Sequence, residues 1–244
     1  MRWKLAILAA ALVLSPAARA DTYVKTESIT DGYYGGGQVV PPAESSTEMW
    51  IGKQRMAYVT EGQKLIVDAK NAKLIVVNRR ENTYDETGLP LDLSKLFSEQ
   101  ELGTLNAYRR QGTVKSNGDS KKVGEWECAG YDVNDWVSFQ GGRINERDVK
   151  AWYTTDVPFK LKKFNEMFRV LVELGNFADD YADRVLAVDG FRVATEETRY
   201  DEGNAIKTTE TVVEMTEKKP SEDAYAVPEG CTKKELLTLQ DLQG

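Results

Sequence analysis

Between Glu48 and Glu86 the chain alternates four short apolar, β-branched runs with turn residues at Gly52-Lys53, Glu61-Gly62 and Lys70-Asn71. Even spacing with Gly or Asn at each reversal predicts an antiparallel meander. Within the runs Met56 and Tyr58 alternate with Arg55 and Ala57, and Leu65 and Val67 with Lys64 and Asp68. A period of two gives each strand one buried and one wetter face. The rest of the chain is expected to cover the buried face.

Upstream, Asp21 to Thr30 alternates as a first strand. Asp31 to Gly37 and Pro41-Pro42 then read as a flexible surface loop, with a flap over a cavity mouth as the functional alternative. Its glycines lack the G-K-[ST] of a phosphate-binding loop. Ser98-Glu99-Gln100-Glu101 is a capping box and predicts a short helix to about Arg110. Thr113–Ser116, Val123–Glu127, Tyr131–Val137 and Val149–Thr154 read as four further strands, with reversals at Asn117-Gly118-Asp119 and Gly141-Gly142. From Phe159 to Leu174 the apolar positions recur at i, i+3, i+4 and i+7, which predicts a helix, and Val170 and Val172 widen its stripe almost all round. The stretch Tyr181–Leu186 is ambiguous. Phe191–Tyr200 and Ala205–Glu217, dense in Thr and Glu, read as outer strands with one side in water. A few helical residues are expected around Glu235 to Leu239. The fold class that follows is mainly β with helices: one highly curved antiparallel sheet with helices on its concave face.

The amino terminus changes the compartment. Arg2 and Lys4 precede the apolar run Leu5–Leu14, and Ala18-Arg19-Ala20 forms an A-x-A site. This predicts a signal peptide over residues 1–20 and a single domain over 21–244. The run is too short to span ~30 Å of hydrocarbon, and no later segment reads as a transmembrane anchor. Export to the periplasm is the expectation. The chain carries a formal net charge of −7, and its leader takes three of the basic residues with it. An acidic exported chain without basic clusters argues against nucleic acid and anionic membrane surfaces as partners.

Histidine is absent from the whole sequence. That excludes Ser-His-Asp and Cys-His nucleophile systems, histidine general bases and His-ligated metals. The two cysteines, Cys128 and Cys231, both lie in the exported part. One disulfide between them is the economical reading in an oxidising compartment, and two free thiols are the alternative.

Other candidate chemistry is thin. Asp179, Asp180 and Asp183 could share a helix face and offer oxygen ligands to calcium, but no Asp-x-Asp-x-Asp-Gly loop accompanies them, so a solvated face is favoured. Glu196-Glu197 and Asp201-Glu202 could pair as in glycoside hydrolysis, yet such pairs arise by chance in so acidic a chain. Trp50, Trp126, Trp136 and Trp152 could stack sugars, although a Trp on each of several strands more often serves packing. What remains is an apolar interior built from Met56, Tyr58, Leu65 and Val67 of the meander with Phe164, Met167, Phe168 and Leu171 of the long helix. These eight residues either line a ligand cavity or fill one another as a dry core.

Five motifs carry a resemblance: Trp50-Ile51-Gly52-x-x-Arg55-Met56, Thr83-Tyr84, Gly124-x-Trp126-x-Cys128-x-x-Tyr131, Trp152-x-Thr154-Thr155-Asp156 and Val227-Pro228-x-Gly230. In their order and spacing the chain resembles an uncharacterised family of secreted bacterial proteins, itself similar to the LolA/LolB superfamily of lipoprotein-localisation factors. The resemblance implies a half-open antiparallel barrel whose cavity is lidded by helices, and in the carrier proteins that cavity takes acyl chains. It implies no catalytic residue, metal or cofactor. Cys231 stands where the family leads one to expect an aromatic residue, which supports its pairing with Cys128. The function expected is a non-enzymatic binding or carrier protein for a lipid or other hydrophobic ligand. The alternative is an envelope protein-interaction or sensor module of the same fold, with a protein partner and no small-molecule ligand.

Overall fold

A computed structural model describes residues 20–201 and 204–242. The expected leader falls outside them but for its last residue. The first half of the chain forms β1 (Asp21–Thr30), β2 (Tyr33–Gly35), β3 (Gln38–Val40), β4 (Ala43–Ile51), β5 (Arg55–Val59), β6 (Gln63–Asp68), β7 (Lys73–Asn78) and β8 (Thr83–Gly88). Helix α1 (Glu99–Ala107) leads into three long strands, β9 (Arg110–Val123), β10 (Trp126–Phe139) and β11 (Gly142–Thr154). Helices α2 (Leu161–Leu174) and α3 (Asp179–Leu186) follow, then β12 (Phe191–Asp201), β13 (Asn204–Lys218) and the two-residue β14 (Thr232–Lys233).

Twelve of these strands form one open sheet in the order β14-β8-β7-β6-β5-β4-β1-β13-β12-β11-β10-β9. Every pairing in it is antiparallel except β14 on β8. The first strand therefore lies in the interior of the sheet, between β4 and β13, with Val24 buried. The three reversals expected in the meander from Glu48 to Glu86 are present, but a fourth at residues 79–82, inside what reads as one last strand, splits off β8, and β6 is buried on both faces, Lys64 and Ile66 included. At the Lys70-Asn71 reversal the Asp68 carboxylate accepts the Asn71 backbone N–H at 3.0 Å, the local bond that favours Asp at the start of a turn.

Three expectations are corrected. Asn117-Gly118-Asp119 does not reverse the chain. Ser120 pairs with Ala129 and Ser116 with Tyr131, so these three residues bulge out of an uninterrupted β9. Gly118 supplies the positive φ (78°), and the Asn117 side chain accepts the Asp119 N–H at 2.9 Å. The reversal comes instead at Gly124-Glu125, inside a stretch that reads as continuous strand, because Val123 and Trp126 close a two-residue hairpin there. Four short strands thus become three long ones. The second correction is the glycine-rich segment after β1, which pairs as the small β2–β3 hairpin with its turn at Gly36-Gly37.

The third concerns the cysteines. Both are free. Cys128 is buried in β10, one strand from one edge of the sheet, and Cys231 precedes β14 at the other edge. A disulfide needs Cα atoms no more than about 7 Å apart. Shared compartment and even count say nothing about sheet order, and the sheet order separates the pair.

Ser98 caps α1 as expected, its Oγ accepting the Glu101 N–H at 3.3 Å. The ambiguous stretch Tyr181–Leu186 is helical, and α3 seats it on β9. Helix α2 buries Phe164, Met167, Val170, Val172 and Leu174 and packs on β5, β6 and α3. The tail forms a 3-10 turn at Leu239–Leu242, slightly beyond the expected helical residues. No helix among the described residues is long and apolar enough to cross a membrane.

Candidate functional site

Beneath α2 and α3 lies a cavity of about 390 Å³. Nine adjacent strands, from β6 across to β9, each contribute a side chain to its wall, from Leu65 on β6 to Val114 on β9. Laid flat, nine strands would spread over roughly 38 Å. One cavity of this size can touch all of them only if the sheet curls around it. The helices close the open side with Phe164, Phe168 and Leu171 of α2 and Tyr181, Val185 and Leu186 of α3.

One region of the wall is apolar. The Phe164 ring stacks on Phe168 (centroids 5.2 Å apart) and meets Phe191 edge-on at 5.2 Å. Val24, Met49, Leu65 and Val212 line the same cavity from the sheet. Of the eight residues expected in a ligand site, Tyr58, Leu65, Phe164, Phe168 and Leu171 line this cavity. Met56, Val67 and Met167 do not. They are all but fully buried in the closed core, with Met56 and Val67 opposite each other on β5 and β6, the strands on which α2 rests. Strand period identifies the inward face, but not how much of that face the helix seals.

The rest of the wall is charged, and of its charged residues only Glu197 was among the sequence candidates, there as half of a carboxylate pair. Arg147, Val149, Ala151 and Tyr153 alternate along β11 and all reach the cavity, as do Arg192, Thr195 and Glu197 on β12 and Glu210 on β13. Asp135 of β10 is 2 % exposed and receives Arg147, Arg110 and the Tyr181 hydroxyl (3.0 Å). Burial works against its charged form, but the Arg147 hydrogen bonds and both guanidinium charges outweigh it, so the carboxyl is held below the usual range. Burial and the Asp135 charge push the Tyr181 hydroxyl upward. Arg147 also reaches Glu197 at 3.2 Å. Arg192 is placed differently: among the described residues its one ion pair is with Glu210, at 3.3 Å, and 54 % of its side chain remains open. The Tyr58 and Tyr153 hydroxyls lie near enough to feel Arg192, and burial pushes both upward, so they are protonated donors at neutral pH.

The other sequence candidates do not converge on a site. Asp179, Asp180 and Asp183 are each taken by a different arginine, Arg109, Arg184 and Arg169. Glu196 and Glu197, being neighbours on a strand, diverge: Glu196 bonds Lys121 at 2.8 Å while Glu197 lines the cavity. Glu202 lies outside the described residues, so Asp201-Glu202 cannot be placed as a pair. None of Trp50, Trp126, Trp136 and Trp152 lines the cavity.

No protein-family model matches the chain, and neither does any curated protein. Among solved structures, one similar chain is described as an outer membrane lipoprotein-sorting protein domain from Vibrio parahaemolyticus, with 6 % identity and a TM-score of 0.27 over 84 % of this chain and 89 % of that one. A likeness at this level carries no argument about ligand or mechanism, and the functional reading stands on the cavity itself.

Proposed function

We propose that the protein is a non-enzymatic periplasmic binding or carrier protein for a lipid, acyl chain or other hydrophobic ligand. The observation that carries this reading is the cavity of about 390 Å³ enclosed between the curled sheet and α2–α3, with Phe164, Phe168, Leu171 and Leu65 on its wall. Ligand sites commonly occupy ~300–1,000 Å³ and combine apolar walls with a few placed polar groups. Tyr58, Leu65, Phe164, Phe168 and Leu171 are the proposed ligand contacts, in a half-barrel lidded by the two helices. The leader-like segment at residues 1–20 supports the compartment. Among the described residues the wall carboxylates Asp135, Glu197 and Glu210 are each paired with an arginine, which fits a binding role.

The test is native mass spectrometry of protein purified from its own periplasm, together with uptake of a fluorescent fatty-acyl probe. Co-purified lipid and saturable uptake support the reading. An unliganded protein that takes up no probe overturns it, and the protein-interaction module then becomes the better account.

A further inference from the structure

The cavity's polar region contains two arginines in opposite states. Arg147 is engaged through all three of its nitrogens: it forks onto Asp135 at 2.9 and 2.7 Å and reaches Glu197 at 3.2 Å. Arg192 donates one hydrogen bond, to Glu210 at 3.3 Å, and keeps more than half of its side-chain surface open. A guanidinium has five N–H donors in a rigid fork. Among the described residues Glu210 takes one of them, so the others stand open to solvent at the cavity wall and are available to a ligand.

The surroundings of Arg192 share its preference. Tyr153 is its register partner on β11, and Tyr58 approaches from β5 across the curl of the sheet. Both hydroxyls are donors, so the group presents hydrogen to whatever sits there. Glu210 is the exception: its carboxylate accepts from both Arg192 and Thr195 at 3.3 Å. The protein's own carboxylate thus marks the position an external anion would share, and both contacts are long for charge-assisted bonds.

Resting on the cavity being a ligand site, we propose that its ligand is an amphiphile with a compact anionic head, a carboxylate or a phosphate monoester, held by Arg192 with Tyr153 and Tyr58 while its apolar tail lies along Phe164 and Phe168. Arginine recognises both heads by the same bidentate geometry. Arg192 sets head-group choice, the phenylalanines take the tail, and Glu210 competes with the incoming anion.

The experiment titrates the full mature chain with a fluorescent long-chain fatty acid, the methyl ester of the same probe, an alkyl phosphate, and vesicles containing phosphatidic acid, whose head is a phosphate monoester. The acid should bind at least tenfold more tightly than the ester. Arg192→Gln should weaken the acid about ten- to a hundredfold and leave the ester unchanged. Glu210→Gln should tighten the acid several-fold, an opposite sign that a merely structural role for the pair would not produce. Arg192→Lys keeps the charge without the fork and should fall between wild type and Arg192→Gln. Competition by alkyl phosphate or by vesicle lipid as well as by fatty acid separates a phosphate source from a carboxylate one. Equal binding of acid and ester by the wild type overturns the head-group assignment and leaves the carrier reading intact. Failure of every amphiphile to bind overturns both. The wild-type comparison needs no variant, so it decides even if Arg192→Gln does not fold.

Discussion

Arg147 grips Asp135 at two points, Nε on Oδ1 at 2.9 Å and Nη2 on Oδ2 at 2.7 Å, and that carboxylate is 2 % exposed. Arg110 and the Tyr181 hydroxyl complete the shell, so one buried charge joins β9, β10, β11 and α3. Removing one member of a buried ion pair leaves the others uncompensated, at a cost of roughly 3–5 kcal/mol. Asp135→Asn should therefore lower the urea-derived stability by about 3 kcal/mol, whereas Tyr181→Phe, which removes a single bond, should cost about 1–2 kcal/mol. Equal small losses would mean that the network does not anchor α3.

How much of this was legible can be judged from particular residues. Three turns of the meander and the Ser98 cap follow from local chemistry and lie where expected, while the reversal at residues 79–82 was not expected. The Asn117-Gly118-Asp119 bulge was not legible, because the same residues that favour a positive φ serve a hairpin and a bulge alike. The apolar half of the cavity could be reached from Phe164, Phe168 and Leu171 at helical spacing. Its polar half could not. Thr195, Glu197 and, on β13, Glu210 follow the period of a solvated outer face, which does not distinguish bulk water from a lined cavity, and Arg192, three residues before Thr195, joins them only through the β-bulge at Val193, which no local pattern announces. The cysteines show the same limit, since sheet order is a long-range property.

The division of the eight expected site residues between cavity and core gives a second prediction. Met56 is 1 % exposed and closely packed, so Met56→Ala should lose about 2–5 kcal/mol. Phe168 is only partly buried and borders open space, so Phe168→Ala should lose less than the ~3–5 kcal/mol of a sealed phenylalanine. Leu171→Trp should fold and block acyl-probe uptake, because bulk added to a void is not overpacking. Urea unfolding and probe titration read all three. A full core penalty at Phe168 with a non-folding Leu171→Trp would mean that the space is not a usable void.

Free thiols give a third. Cys128 is 3 % exposed and burial pushes its thiol upward, so it should resist alkylation until the protein unfolds. Cys231 is partly exposed and should react in the native state. Reductant should leave the melting temperature unchanged. A Cys128–Cys231 peptide in a non-reducing map would contradict this sheet order.

Asp241 carries the last prediction, on acid stability. It is 2 % exposed in the tail's final 3-10 turn. Its carboxylate accepts from Asn78 (2.8 Å), Lys234 (2.9 Å), and the Thr238 N–H (2.7 Å) and hydroxyl (2.9 Å). Burial alone would raise its pKa, but these donors outweigh burial and hold it below the usual carboxylate range. The folded state therefore binds this proton more weakly than the unfolded chain, whose Asp titrates near ~3.9. The resulting stability is fully present above that value and is lost as the pH falls through the folded pKa. Asp135 has the same sign, so the wild type should weaken steeply below about pH 4. Asp241→Asn cannot lose what it lacks. Its deficit relative to wild type, measured by urea midpoints across a pH series, should be constant near neutrality and shrink on acidification. Because Asp241 ties the tail to β7 through Asn78, the variant should also expose the segment after Lys233 to protease at neutral pH. A deficit independent of pH would mean that the carboxylate is not ionised where it sits, and an unchanged cleavage pattern would mean that Asp241 does not fasten the tail.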